Sequence, residues 1–184
     1  MQAAIERKPD PFAKKWDDLW KHEKLPVAFE VAGRRGGLVF TLNLSRKREQ
    51  MLSCRIDPTD DLRRYISREL RAVLGSLPPF AFTFETAPNG RLHLHGVIVL
   101  SNRSASTLER VGSALCRAGG KQKARAAGRQ CELKEITDGI GWASYVTKVI
   151  DKAMHQLGTH KVTYISNELT RQAKCFHSDI IQET

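Results

Sequence analysis

Phe80-Ala-Phe-Thr-Phe-Glu85-Thr-Ala-Pro88-Asn89-Gly90-Arg91-Leu92-His93-Leu94-His95-Gly-Val-Ile-Val-Leu100 reads as a β-hairpin. An apolar alternating run leads in, Pro88-Asn89-Gly90 supplies the turn chemistry, and a second run returns. Side chains at i and i+2 leave the same face of a strand, so His93 and His95 point together, away from Leu92 and Leu94. A hairpin turning at Asn89-Gly90 brings the Glu85 carboxylate across toward both imidazoles. Two histidines and a carboxylate are a donor set for a divalent cation that leaves coordination positions open to a substrate.

Upstream, Gly33-Arg-Arg-Gly-Gly37 punctuates the chain, and Leu38-Val-Phe-Thr-Leu-Asn-Leu44 follows as a strand. Its alternation puts Leu38, Phe40, Leu42 and Leu44 on one face and Val39, Thr41 and Asn43 on the other. Beside the histidine strand, Thr41 and Asn43 would border the metal and its substrate. Asp57-Pro58-Thr-Asp-Asp61 opens a helix running to about Leu74, with Asp57 as cap and Pro58 in the first turn. Tyr65 falls on its apolar stripe and is expected in the core. Downstream, Ser106-Thr-Leu-Glu109 reads as the capping box of a second helix that stops at Gly119-Gly120. Gln130 to Ile136 alternates as a fourth strand. Thr137-Asp138-Gly-Ile140 starts a helix carrying Tyr145, Lys148 and Lys152 on one row, with Ile140, Val146, Ile150 and Met154 beneath. Lys161 to Ile165 is expected as a short strand and Asn167 to Ile180 as a closing helix.

The order β-α-β-β-α-β-α is that of a ferredoxin-like or RRM-like split βαβ sheet, an α+β architecture with helices packed on a central antiparallel sheet. Residues 1–34 are read as an N-terminal extension, with an amphipathic helix over 11–25 that buries Trp16 and Trp20, and 35–184 as one domain.

Composition narrows the function. The chain of 184 residues carries 30 Lys and Arg against 20 Asp and Glu, a formal charge of +10, and its pI is near 9.7. Such a balance favours a polyanionic partner. The positive charge is concentrated at Arg34-Arg35, at Arg46, Lys47 and Arg48, and at Lys121, Lys123, Arg125 and Arg129. These runs suit phosphate contacts that give affinity without reading bases. No apolar run reaches the roughly 18 residues of a membrane span, so the expectation is a soluble, cytoplasmic protein without a membrane partner. Cys54, Cys116, Cys131 and Cys175 lack Cys-x-x-Cys spacing and are read as reduced thiols.

Three short motifs stand in a fixed order: Phe40-Thr41-Leu42-Asn43, His93-Leu94-His95 and Tyr145-Val146-Thr147-Lys148. Together they resemble the HUH endonuclease superfamily, and within it the replication-initiator (Rep) branch, over roughly residues 36 to 155. The tyrosine follows the histidines, as in Rep proteins and single-tyrosine transposases, and Lys148 stands where those transposases usually have Gln. The resemblance implies a single-tyrosine enzyme that nicks and rejoins single-stranded DNA, or DNA melted at an origin hairpin, at the start of rolling-circle replication of a plasmid or phage. It implies Mn²⁺ or Mg²⁺ at His93, His95 and Glu85, with Glu132 or Glu135 as alternative third ligands. It makes Tyr145 the nucleophile, its phenol activated by Lys148. Thr41, Asn43, Arg46, Lys47, Arg48, Lys121, Lys123, Arg125, Arg129 and Lys152 are the expected DNA contacts. No Gly-x-x-x-x-Gly-Lys-Ser/Thr phosphate loop occurs, so unwinding would need a separate helicase in trans. The rival readings are a single-tyrosine transposase, a non-catalytic RRM-like module and a zinc hydrolase using activated water.

Overall fold

The computed structural model describes residues 12–122 and 129–182. Five strands, β1 (Leu38–Asn43), β2 (Phe80–Thr86), β3 (Leu92–Ile98), β4 (Cys131–Glu135) and β5 (Thr163–Ile165), form one antiparallel sheet in the order β4-β1-β3-β2-β5. β3 inserts between β1 and β2, which therefore run in the same direction, and this is the split βαβ arrangement. The helices are α1 (Leu25–Arg34), α2 (Arg46–Ser53), α3 (Pro58–Leu74), α4 (Ala105–Ala118), α5 (Gly139–Thr147), α6 (Ile150–Leu157) and α7 (Asn167–Gln182). Among the described residues no helix is long and apolar enough to cross a membrane.

Period-two alternation gives the sheet two different faces. Leu38, Phe40, Leu42, Phe80, Phe82, Phe84, Leu92, Leu94 and Ile98 share one, where Leu62, Ile66 and Leu70 of α3 and Val111 and Leu115 of α4 cover them. Each fully buried Phe or Leu there contributes about 1.5–3 kcal/mol, so this face anchors the hairpin. Phe80, Phe82 and Phe84 are wholly enclosed. The opposite face changes character along its length. At one end Val39, Ala81, Val97 and Ile165 pack beneath α1, α5 and α7 through Phe29, Ala143, Val146 and Leu169. At the other end the paired residues are polar: Thr41 beside His95 beside Thr83, then Asn43 beside His93 beside Glu85. Helices cover the apolar rows, and the polar rows lie at the margin of that cover.

The hairpin loop has the chemistry its sequence suggests. Ala87 N donates to Arg91 O at 2.9 Å and Gly90 N to Ala87 O at 2.8 Å, with Gly90 at φ 77°. A left-handed glycine after a type I turn matches the strand twist and holds Glu85 opposite His93.

Three local expectations are corrected. No α-helix spans 11–25: Trp16–Asp18 is a single 3-10 turn, and the helix lies at Leu25–Arg34, with Pro26 in its first turn where the missing N–H costs nothing. Trp16 and Leu19, three apart, are both buried by that turn, but Trp20 is 69% exposed. Arg46, Lys47 and Arg48 open α2, a helix not assigned from the sequence, capped by Ser45, whose hydroxyl accepts from Arg48 N. The cap of α4 is Ser104, accepting from Thr107 N, rather than Ser106. The helix after Asp138 breaks at Lys148–Val149. Val146 packs on one side of the sheet and Ile150 on the other, so a continuous helix could not bury both, and Lys152 is not on Tyr145's helix.

Candidate metal centre and nucleophile

Glu85 Oε2 lies 2.8 Å from His95 Nε2 and 3.5 Å from His93 Nε2, and the two Nε2 atoms are 3.0 Å apart. Three atoms so spaced fit one ion: ligands about 2.1 Å from a metal sit about 3.0 Å apart at cis octahedral positions and about 3.4 Å apart in a tetrahedron. Among the described residues these three side chains form the group of His, Cys, Asp and Glu able to share an ion. Glu85 Oε2 is buried and accepts no hydrogen bond from them, an arrangement that costs free energy unless a cation or proton stands between these atoms.

The imidazoles are also prepared as ligands. His95 Nδ1 is 3.1 Å from Thr41 Oγ1 on β1. With Nδ1–H donating to that hydroxyl, Nε2 keeps its lone pair aimed at Glu85 and His93. Burial, reinforced by the charge of His93, pushes the His95 pKa down to about 4, so this ring is neutral near pH 7, as a metal ligand must be. The residues fit a divalent cation with two nitrogens and one carboxylate on one side and the remaining positions open.

The alternative third ligands are elsewhere. Glu132 pairs with Thr41, three strands from Glu85 in the sheet order, is exposed, and holds Lys134 at 2.9 Å. Glu135 pairs with Leu38 and thus belongs to the opposite face.

Tyr145 is 61% exposed, on α5, whose start is capped by Asp138 accepting from Gly141 N. Its ring stacks on Trp142 with centroids 5.9 Å apart, and Trp142 in turn stands edge-on to His95 at 5.6 Å. The phenol is thus two ring contacts from the donor cluster and faces solvent rather than the core. Trp142 carries this connection, and sequence reasoning passed over it. Its position three before Tyr145, on the same helical face, was the available signal. Trp142 Nε1 is buried with no hydrogen-bond partner among the described residues. Lys148 is the exposed C-cap of α5.

The proposed DNA contacts divide. Thr41 touches His95, and Asn43 sits beside His93, its Nδ2 donating to Arg129 O at 2.8 Å. A cleft of about 370 Å³ opens at His93, bordered by Asn43, Asn89, Arg91, Gln122 and Arg129. Arg46, Lys47, Lys121, Arg129 and Lys152 are exposed. Arg48 is half-buried and lies over the Tyr65 ring, 3.7 Å from its centroid, so its cation is held by α3 rather than presented to a phosphate. Tyr65 itself is half-buried against the core. Arg91 is spent on structure, tying Glu49 of α2 (2.8 Å) and Leu44 O (2.8 Å) to the hairpin. Lys123 and Arg125 fall outside the described residues.

Comparison with protein-family models, with curated proteins and with solved structures finds no match to this chain.

Proposed function

We propose that the protein is a metal-dependent endonuclease and strand transferase of the HUH type, acting on single-stranded DNA through Tyr145. The observation that carries this reading is the convergence of Glu85 Oε2 and the His93 and His95 Nε2 atoms within 3.5 Å, with a solvent-facing phenol reached across the Trp142 ring.

Glu85, His93 and His95 would hold Mn²⁺ or Mg²⁺, which when bound supplies Lewis-acid stabilisation to a phosphate oxygen. Tyr145 Oη forms a bond to phosphorus as the bond from phosphorus to the 3′ oxygen breaks, and the phenolic proton passes to solvent while the departing oxygen is protonated. The product is a 5′-phosphotyrosine ester and a free 3′-OH. Because the ester conserves the phosphodiester, attack by a 3′-OH rejoins strands and releases the tyrosine. Lys148, three residues beyond Tyr145 at the C-cap of α5, offers a cation to the substrate phosphate. Initiation of rolling-circle replication of a plasmid or phage, with unwinding by a separate helicase, is the role such chemistry suits. An RRM-like module binds through an open aromatic sheet face. Here Phe80, Phe82 and Phe84 are enclosed, and this weighs against that rival.

The test is incubation of the full chain with a random-sequence single-stranded oligonucleotide pool and Mn²⁺, followed by denaturing electrophoresis. A covalent protein–DNA band is expected, lost in Tyr145→Phe and on chelation. A band that persists in Tyr145→Phe, or cleavage indifferent to chelator and to His93→Ala with His95→Ala, overturns the reading.

A further inference from the structure

Trp20 is 69% exposed, although Trp16 and Leu19 beside it are buried. An indole kept in water forgoes one of the largest burial gains any side chain offers. Its place relative to the candidate site follows from two anchor points. At the start of α5, a Cβ on Gly139 would lie 2.5–2.6 Å from backbone atoms of Phe29 and Glu30, so α5 begins against the middle of α1. Just before α5, a Cβ on Gly33 near the C-terminal end of α1 would lie 3.0 Å from the Ile136 side chain, so the chain advances along α1 from its end toward its start. α1 and α5 therefore run in opposite directions, and the turn preceding α1, with Trp20 and Lys21, lies beside the α5–α6 junction that carries Lys148. Tyr145 is one helical turn back from that junction.

The charges there suit a polyanion. Lys21, Lys148 and Lys152 are exposed. Of the acidic groups in the N-terminal turn, Glu23 holds Lys14 at 2.7 Å and accepts from Trp20 N at 2.7 Å, and Asp17 holds Lys174 at 2.9 Å. Asp18 and Asp151 remain at the surface. Two exposed aromatics, Trp20 and Tyr145, thus stand among lysines at one end of the α1–α5 layer.

We infer that Trp20 is a stacking platform for an unpaired base of single-stranded DNA, with Lys21 and Lys148 drawing the phosphate backbone across the α5–α6 junction. The inference rests on the reading of the partner as DNA given above, but it uses a residue outside the three motifs. It assigns the Trp-bearing segment before α1 to substrate holding rather than to packing alone. Stacking of this kind tolerates any sequence, because every base has an aromatic face.

The experiment is fluorescence anisotropy of a labelled dT30 single strand with the full chain in EDTA, so that binding is separated from cleavage. Trp20→Ala is expected to weaken binding about tenfold, and Trp20→Phe by no more than about threefold, because a phenyl ring still stacks. Loss on a 30-base-pair duplex is expected to be much smaller. Circular dichroism checks that each variant is folded. Unchanged affinity in Trp20→Ala, equal losses on single strand and duplex, or a wild type that does not bind dT30 overturns the inference. Absence of the Tyr145 adduct with an intact Trp20 effect removes the nuclease reading alone.

Discussion

Glu85 and His95 are diagonal rather than direct neighbours across the hairpin, yet their Oε2 and Nε2 atoms stand 2.8 Å apart. The direct register partner of Glu85 is His93, whose Nε2 is farther from that oxygen at 3.5 Å. Diagonal pairs lie within reach of long side chains, and the carboxylate reaches along the strand so that all three donors meet at one point.

Thr41 fixes the orientation of His95 through Nδ1. Thr41→Val keeps the shape and removes the hydroxyl, so Mn²⁺ affinity should fall about 10-fold or more, the usual cost of losing a partner behind a ligand. Glu132→Ala should leave it within about twofold, since Glu132 is engaged with Lys134. Titration calorimetry with Mn²⁺ distinguishes the two, and a large loss in Glu132→Ala would move the third ligand to β4.

Among the described residues, Trp142 bridges the rings of His95 and Tyr145. Trp142→Ala should slow covalent adduct formation by about 100-fold, the scale set by an ångström of misplacement, with Mn²⁺ affinity little changed. Trp142→Phe should recover much of the rate. Single-turnover kinetics read the rate, and equal rates for wild type and alanine variant would show that the indole positions nothing.

Gly96 follows the second histidine on the core face of β3. A Cβ there would collide with the Phe40 ring and lie 2.5 Å from Ala81 O. Gly96→Ala should destabilise the protein by about 1–3 kcal/mol through overpacking, seen as a lower urea midpoint at unchanged slope.

Arg117 of α4 donates to Glu69 of α3 at 2.7 Å, and with Arg68 it holds the Glu69 carboxyl below the ordinary carboxylate range, against the opposing effect of burial. A depressed folded-state pKa gives stability that is present above the unfolded value of about 4.3 and lost as pH falls through the folded value. Glu69→Gln should therefore be less stable than wild type by up to about 1 kcal/mol at pH 7. The gap should close on acidification below pH 4, and urea titrations at both pH values measure it.

Local rules were enough to place the donor set. Alternation over Phe80 to Leu100 and the Asn89-Gly90 turn put Glu85 opposite His93, because a tight loop fixes register and register fixes faces. The same alternation separated Leu38, Phe40, Leu42 and Leu44 from Thr41 and Asn43, and the cap at Asp57 gave the start of α3. What the chain could not disclose by itself were relations between distant segments. The strand order, with β3 between β1 and β2, brings Thr41 to His95 and leaves Glu132 two strands away. The split of one helical pattern into α5 and α6 follows from Val146 and Ile150 packing on opposite faces of the sheet. Trp142 against His95, Arg48 over Tyr65 and Trp20 in solvent likewise depend on which surfaces meet. Hydrogen bonding and side-chain period act within a few residues and are written in the sequence, but burial is decided by what lies opposite, and that exists only once the sheet and its covering helices have assembled.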